Sequence, residues 1–259
     1  MDPRNPHDAL STFSQACQKT ARTNRWGSNY SRLAPLGFIF HFSPSQTTPR
    51  SIPREGFIVP SMDSPVNTEE KAATLIEALP YLQRFRGKTF LIKIGGAAMD
   101  NPDLVSSLMR DIVFLEVAGI NPVLVHGGGK AISAAMEEAG LEATFIGGFR
   151  VTSPQAIAIV EATLGSTINP ELVALLNQHG GRAMGISGTD VFKAKRVMGS
   201  GPKPVDIGRV GEVESCHTDD IVKSIASDVV PVVSPLGREV GTDKTLNINA
   251  DLAAAALAC

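Results

Sequence analysis

The feature of this sequence that most constrains its fold is a pattern that occurs twice. A short apolar segment is followed by glycines and then by a helical pattern. Residues 89–94 form the first segment, which ends at the glycines 95–96, and residues 122–126 form the second, which ends at the glycines 127–129. Strands that alternate with helices in this way form parallel βαβ units. The pattern predicts an α/β fold, and ligands on such sheets bind beyond the carboxyl ends of the strands, where both glycine clusters lie.

The rest of the chain from residue 68 continues this mixture of helical and strand patterns. Apolar residues at helical spacing over 68–84 predict a helix, which Pro80 should kink. The same spacing predicts helices over 104–115 and 154–178, and β-rich stretches lie at 183–186, 192–197 and 229–233, before a strand-to-helix turn that begins at 247.

Composition excludes two classes of function. Hydrophobic residues make up 43% of the chain and charged residues 19%, which is ordinary for a soluble protein. A net charge of −2 gives no basic surface for nucleic acid. No apolar run approaches the ~18 residues that span a bilayer, so no membrane segment is expected. The three cysteines stand far apart, without the spacing of a zinc site, and we expect a cytoplasmic protein.

Residues 1–61 differ in composition from the remainder of the chain. They are rich in Ser, Thr, Asn, Pro and Arg, and their apolar residues follow neither the helical nor the strand period. We expect a disordered extension, or an upstream stretch included by a wrong start codon, with Met62 as the true start. The alternative is an organellar transit peptide, since such leaders are rich in Arg and Ser and poor in acids.

The two glycine clusters suit anionic ligands. Lys93 precedes the first cluster, and an ammonium beside exposed backbone N–H groups can hold phosphate oxygens. The frame of a Walker A loop is missing, and a solvated lysine before a tight turn is the alternative. The second cluster opens a helix, whose N-terminus favours an anion. We expect His126, which ends the preceding strand, to be a core histidine rather than a catalytic base.

Two later motifs suit a small polar ligand. The guanidinium of Arg150 can hold a carboxylate in two parallel hydrogen bonds, although most such arginines lie on the surface. Asn247 and Asn249 share one face of a strand end, and Asp251 begins the next helix. Two amides and a carboxylate there can bind a polar ligand and orient a lysine. An Asx turn that caps the helix, a role that Asp251 could serve equally well, is the alternative.

The order and spacing of these motifs are similar to those of acetylglutamate kinases of the amino-acid kinase family. The motifs are Lys93-Ile-Gly-Gly, Val125-His-Gly-Gly-Gly, Gly148-Phe-Arg-Val-Thr, Asn177-Gln-His-Gly-Gly, Gly211-Glu-Val-Glu and Asn247-Ile-Asn-Ala-Asp. The resemblance covers the chain from about residue 68 to its end. This combination of motifs distinguishes these kinases from relatives such as aspartate kinase, glutamate 5-kinase and carbamate kinase.

The resemblance implies a three-layer αβα sandwich around a mainly parallel sheet, with residues 87–259 as the acylglutamate-binding lobe. The implied reaction is the ATP-dependent phosphorylation of the side-chain carboxylate of N-acetyl-L-glutamate to an acyl phosphate, the second step of arginine biosynthesis. Mg²⁺ would arrive with the nucleotide. The ATP lobe of the family should follow Cys259, so we expect a truncated chain that is inactive alone. A non-catalytic acylglutamate sensor or regulatory fragment is the alternative.

The resemblance also assigns roles to individual residues. They are Lys93 and Asp251 for catalysis, Gly95 and Gly96 for phosphate binding, and Gly128, Gly129, Arg150, Asn247 and Asn249 for substrate binding. Lys93 would stabilise the transferring phosphoryl group, Arg150 would pair with the carboxylate that does not react, and Asp251 would orient lysines. The nucleophile is already a carboxylate at neutral pH, so no general base is needed, and catalysis would rest on positioning and charge neutralisation.

The predicted N-terminal helix, assigned to residues 62–86, has its own counterpart in the family. It resembles the extra helix of arginine-inhibited, hexameric members, in which helices from neighbouring dimers interlace. The resemblance implies a homo-oligomer, a dimer or a hexamer, with arginine as a feedback inhibitor. A helix that packs on its own lobe is the alternative.

Overall fold

The computed structural model describes residues 43–44, 68–199 and 204–259, and a mainly parallel sheet lies at the centre of this part of the chain. In spatial order its strands are β1 (Ser43–Pro44), β2 (Lys88–Ile94), β3 (Asn121–His126), β9 (Val230–Val233) and β6 (Ala183–Ile186). The last four strands run parallel to one another, and β1 pairs antiparallel with β2 at the edge.

Helices connect and cover these strands. They are α1 (Thr68–Phe85), α2 (Pro102–Val117), α3 (Gly129–Glu138), α4 (Ala156–Glu161), α5 (Asn169–Gln178), α6 (Gly188–Val191), α7 (Asp219–Ala226) and α8 (Ala250–Leu257). A short 3₁₀ helix, Gly96–Asp100, follows β2, and a π-helical segment, Ala162–Ile168, joins α4 to α5.

Side chains that alternate along the strands form a hydrophobic core on each face of the sheet. Ile92 and Leu124 point to one face, where they join a cluster with α2, α3 and α5. Leu91 and Val123 point to the other face, where they join a cluster with α7 and α8. Helices therefore cover both faces of a parallel sheet, which confirms the predicted α/β sandwich.

A small barrel packs against the second face. Its strands are β7 (Phe192–Gly199), β8 (Val205–Cys216), β11 (Thr245–Ile248) and β10 (Leu236–Glu239). The chain leaves β11 directly into α8, which returns to the central sheet beside β2 and β3. A separate hairpin of β4 (Phe145–Ile146) and β5 (Phe149–Arg150) leads toward the barrel. The sequence predicted β-rich stretches here but not that they close into a barrel.

Most of the predicted elements are confirmed, with small changes at their ends. The strands expected over 89–94 and 122–126 are β2 and β3, and the helical stretch over 154–178 contains α4, the π-helical segment and α5. The expectation for residues 1–61 falls outside the described residues, except that residues 43–44 form β1.

The helix α1 presents an apolar stripe to solvent and runs without interruption through Pro80. Leu75 and Ile76 are 69% and 70% exposed, and Tyr81 is also exposed. Only the end of the helix reaches the core, where the rings of Phe85 and Phe90 meet edge to face at 5.4 Å. The described part of the chain therefore leaves most of this stripe uncovered. No described helix combines the length and hydropathy of a membrane span.

Candidate functional site

The carboxyl ends of β2 and β3 meet in two glycine turns that touch each other. The backbone N–H of Gly127 donates to the carbonyl of Ile94 at 2.7 Å, and a Cβ added to Gly127 would lie 3.4 Å from the Cα of Gly95. A Cβ added to Gly96 or Gly129 would meet nothing within 4 Å. The backbone of this edge is therefore open to a ligand, in the place predicted from the sequence.

Gly128 has a packing role that the sequence did not reveal. An added Cβ would lie 2.6 Å from Cδ1 of Ile168 and 2.8 Å from Cδ2 of Leu164. These leucine and isoleucine side chains come from the π-helical segment and occupy the space where a side chain of residue 128 would be. Gly128 therefore lets that segment pack against the loop, and its assignment to substrate binding stays a prediction.

Lys93 and Asp251, the two residues assigned to catalysis, form an ion pair. Nζ of Lys93 lies 2.9 Å from Oδ1 of Asp251, and Asp251 belongs to the first turn of α8. The Lys93 side chain is only 13% exposed. It folds over the first glycine turn, since an added Cβ on Gly95 would lie 2.7 Å from Nζ. The alternative of a solvated lysine is wrong, and the Asp251 carboxylate fixes the ammonium beside the open backbone.

Asn249, not Asp251, caps α8. Oδ1 of Asn249 accepts hydrogen bonds from the backbone N–H groups of Asp251 at 2.8 Å and Leu252 at 3.3 Å. An asparagine at this position satisfies two donors that the helix leaves unpaired. The suggestion that Asp251 could serve as the cap is therefore wrong, and its carboxylate pairs with Lys93 instead.

Arg150 is buried rather than on the surface, with 6% of its area exposed. Nη2 donates to the carbonyl of Gly129 at 2.6 Å and to Oγ of Ser133 at 2.9 Å, and the guanidinium lies 4.6 Å from the ring centroid of Phe145. Burial lowers the pKa of Arg150, which remains charged at neutral pH. No acidic side chain in the described ranges forms an ion pair with it. Buried charges are normally paired, so this site suits an anionic ligand.

Asn247 connects to Arg150 through Thr152, a residue that the sequence did not single out. Nδ2 of Asn247 donates to Oγ1 of Thr152 at 3.2 Å, and this hydroxyl donates to the carbonyl of Arg150 at 2.9 Å. Thr152 is fully buried. Its place in the Gly148-Phe-Arg-Val-Thr motif was the one signal that could have identified it.

The sequence that forms this site matches a known protein family. Residues 88–259 match the model of the amino acid kinase family. The chain belongs to this family. An acetylglutamate kinase of Akkermansia muciniphila is 58% identical over 191 residues, which cover 73% of this chain and 64% of that relative. One from Acinetobacter baumannii is 44% identical over 197 residues, which cover 73% of this chain and 65% of the relative. The chain thus spans about two thirds of the length of these curated relatives.

A solved structure extends the likeness to three dimensions. It is the N-acetylglutamate synthase from Neisseria gonorrhoeae complexed with coenzyme A and N-acetyl-glutamate, at a TM-score of 0.62 and 25% sequence identity. The match covers 72% of this chain and 42% of the synthase. The amino acid kinase fold of this chain is therefore also found within a longer protein.

His126 of this family member is the core histidine that its position predicted. It is fully buried, with Nε2 3.1 Å from Nδ2 of Asn169 and Nδ1 2.9 Å from the carbonyl of Gly127. Because Nδ2 can only donate, Nε2 accepts and Nδ1 carries the proton that it gives to Gly127. Burial lowers the pKa of His126 to about 4. A histidine with both ring nitrogens hydrogen-bonded therefore anchors the start of the glycine loop, as expected of a core histidine.

This pKa predicts a pH dependence of stability. The unfolded chain binds a proton at His126 below about pH 6.5, whereas the folded chain does so only below about pH 4, so acid favours unfolding. His126 contributes about 3 kcal/mol to the free energy of unfolding above pH 6.5. This contribution is lost as the pH falls from 6.5 to about 4. Urea unfolding of wild type and His126→Asn at pH 7.5 and pH 5 should show a smaller pH effect in the variant. Equal effects in the two proteins would contradict the buried neutral state.

Proposed function

We propose that this chain forms the acyl-amino-acid-binding part of an acetylglutamate kinase. The reaction is transfer of the γ-phosphoryl group of ATP to the side-chain carboxylate of N-acetyl-L-glutamate, the second step of arginine biosynthesis. The observation that carries the proposal is Arg150, a buried guanidinium beside the glycine loop with no acidic partner among the described residues. The similarity to enzymes named acetylglutamate kinase supports it.

The substrate end of the site is built from Arg150 and the second glycine turn. Arg150 receives the carboxylate that does not react, since its charge is buried and needs a counter-charge. Gly128 and Gly129 at the start of α3 receive the reacting carboxylate, because a helix N-terminus offers unpaired N–H groups to an anion. Asn247 contacts the acetylamino portion, with Asn249 nearby.

The phosphoryl end is built from Lys93 and the first glycine turn. Lys93 neutralises negative charge on the transferring group, Asp251 holds the ammonium in place, and Gly95 and Gly96 offer backbone N–H groups to the phosphates. ATP supplies the phosphoryl group and Mg²⁺ enters with the nucleotide. The described residues contain no cluster of three or more His, Cys, Asp or Glu side chains that could hold a metal themselves.

Replacing Lys93 tests the phosphoryl end. In the protein expressed to the natural stop codon of its gene, Lys93→Ala should lower acyl phosphate formation at least tenfold, because a group that meets developing charge contributes ~2–4 kcal/mol. Calorimetry should show nearly unchanged binding of N-acetyl-L-glutamate. Lys130→Ala is the matched control, since Lys130 is exposed and pairs with Asp100 at 2.7 Å. More than about a tenth of wild-type turnover in Lys93→Ala would contradict the role.

Arg150→Lys tests the substrate end. The ammonium of lysine is a point charge and cannot form two parallel hydrogen bonds to a carboxylate, so N-acetyl-L-glutamate should bind about tenfold more weakly by calorimetry. Arg110→Lys is the control, since Arg110 is an exposed residue of α2 that donates a hydrogen bond to Ser107 on its own helix. Melting temperatures of both variants separate a binding effect from lost packing on Phe145. Unchanged affinity in Arg150→Lys would mean that the carboxylate binds elsewhere.

We also propose that α1 joins copies of this protein into assemblies above the dimer, and that arginine inhibits the assembled form. The exposed apolar stripe of the helix supports this, because large apolar surfaces on a helix mark contact sites. The double substitution Leu75→Lys and Ile76→Lys should lower the mass measured by light scattering and abolish arginine inhibition. Glu77→Lys, on the same exposed helix, should leave both unchanged. An unaltered mass in the double variant would exclude α1 as the contact.

A further inference from the structure

Thr152 lies between two of the residues assigned to substrate binding. Its hydroxyl donates to the carbonyl of Arg150 at 2.9 Å and lies 3.2 Å from Nδ2 of Asn247, which is 95 residues away in the chain. The side chain is sealed from solvent. Thr152 therefore joins the β4–β5 hairpin, which carries the guanidinium, to β11, which carries the amide.

The hydrogen bonds of Thr152 determine which way the Asn247 amide faces. A hydroxyl has one hydrogen, and this hydrogen goes to the carbonyl of Arg150. Oγ1 can then only accept from Asn247, so Nδ2 must face Thr152 and Oδ1 must face away. In the described part of the chain no buried side-chain oxygen or nitrogen lacks a partner. Oδ1 of Asn247 has no hydrogen-bond donor among these residues. It is therefore not one of the buried atoms, and a ligand can reach it.

The strand β8 holds Thr152 and Asn247 in this arrangement. The backbone N–H of Thr152 donates to the carbonyl of Ile207 at 2.9 Å, and the Thr152 carbonyl accepts from the N–H of Arg209 at 2.6 Å. On the same strand, Val210 pairs with Asn247. Residue 208 must be glycine, because its φ is +80° and an added Cβ would lie 2.1 Å from the Thr152 carbonyl oxygen. The backbone thus brings the two side chains together before any ligand binds.

We propose that Thr152 is a positioning residue that presents Oδ1 of Asn247 as a fixed hydrogen-bond acceptor beside Arg150. The inference rests on the proposed function and deepens it. A ligand whose carboxylate binds Arg150 must then offer an N–H group close to that carboxylate. The acetylated amine of N-acetyl-L-glutamate does so, on the carbon that carries its non-reacting carboxylate. The site therefore selects N-acylated amino acids over analogues that lack the N–H.

Two ligands that differ only at this group test the selection. They are N-acetyl-L-glutamate and O-acetyl-L-2-hydroxyglutarate, in which an ester oxygen replaces the N–H. Wild-type protein should prefer the amide at least about tenfold in calorimetric affinity. Thr152→Val keeps the shape but removes the acceptor for Nδ2, so the preference should fall to about threefold or less. Thr152→Ser should restore it.

A matched control separates this effect from the loss of any buried hydroxyl. Thr163 is also buried, and its hydroxyl donates to the carbonyl of Ile159, four residues earlier in the chain, at 2.8 Å. Thr163→Val should keep the full preference. Thr152→Ala provides a second variant if Thr152→Val does not fold. A preference in the Thr152 variants equal to that of wild type would overturn the proposal.

A second measurement tests Thr152 without any ligand. The side-chain amide signal of Asn247, assigned by its loss in Asn247→Asp, should show slowed proton exchange by NMR in wild type, Thr152→Ser and Thr163→Val. In Thr152→Val the exchange should be at least tenfold faster. Equal exchange rates would overturn the positioning role. If wild type binds neither ligand, the proposed substrate is wrong, while the NMR comparison still decides the role of Thr152.

Discussion

The structure of the site depends on the close contact between the two glycine turns that follow β2 and β3. β2 and β3 run in register, so Ile94 lies opposite His126 and the chains that leave them lie side by side. Gly127 then donates its backbone N–H to the carbonyl of Ile94 at 2.7 Å, and a Cβ on Gly127 would lie 3.4 Å from the Cα of Gly95. A Cβ on Gly95 would lie 2.7 Å from Nζ of Lys93, so a side chain at this position would displace the ammonium. Because both are glycine, the Lys93 ammonium can fold over the first turn, and α3 can begin directly after the second.

The positive charges of Lys93 and Arg150 near the glycine turns differ in how far other side chains neutralise them. Asp251 partly neutralises Lys93, although its own carboxylate is 62% exposed and therefore strongly screened by solvent. Arg150 has hydrogen bonds to neutral groups and an aromatic ring beneath it, but no carboxylate among the residues described. The edge of the sheet is thus locally positive in a chain whose net charge is −2. A ligand with two carboxylates would supply the missing negative charge, and the electrostatic complementarity would be greatest for such a molecule.

Local sequence patterns predicted the parts of the fold that depend on local interactions. The apolar runs and glycines of β2 and β3 were sufficient to predict the parallel sheet and the two glycine turns at its carboxyl edge. The barrel was not predictable, because β10 pairs with β7 and β11 with β8 across long stretches of chain. The same limit applies to the site. Lys93 and Asp251 were expected together from a family resemblance, but the burial of Arg150 and the contact of Thr152 with Asn247 depend on tertiary packing alone.

Asn169 links the strands that lie beneath the glycine loop. Its amide nitrogen donates both to His126, at the end of β3, and to the carbonyl of Val232 in β9, at 2.9 Å. Its oxygen lies so close to β6 that an added Cβ on Gly185 would approach it to 2.1 Å. One side chain thus ties three neighbouring strands to the start of α5. The glycine loop after His126 therefore leaves from strand ends that this one amide cross-links, in addition to the backbone hydrogen bonds of the sheet.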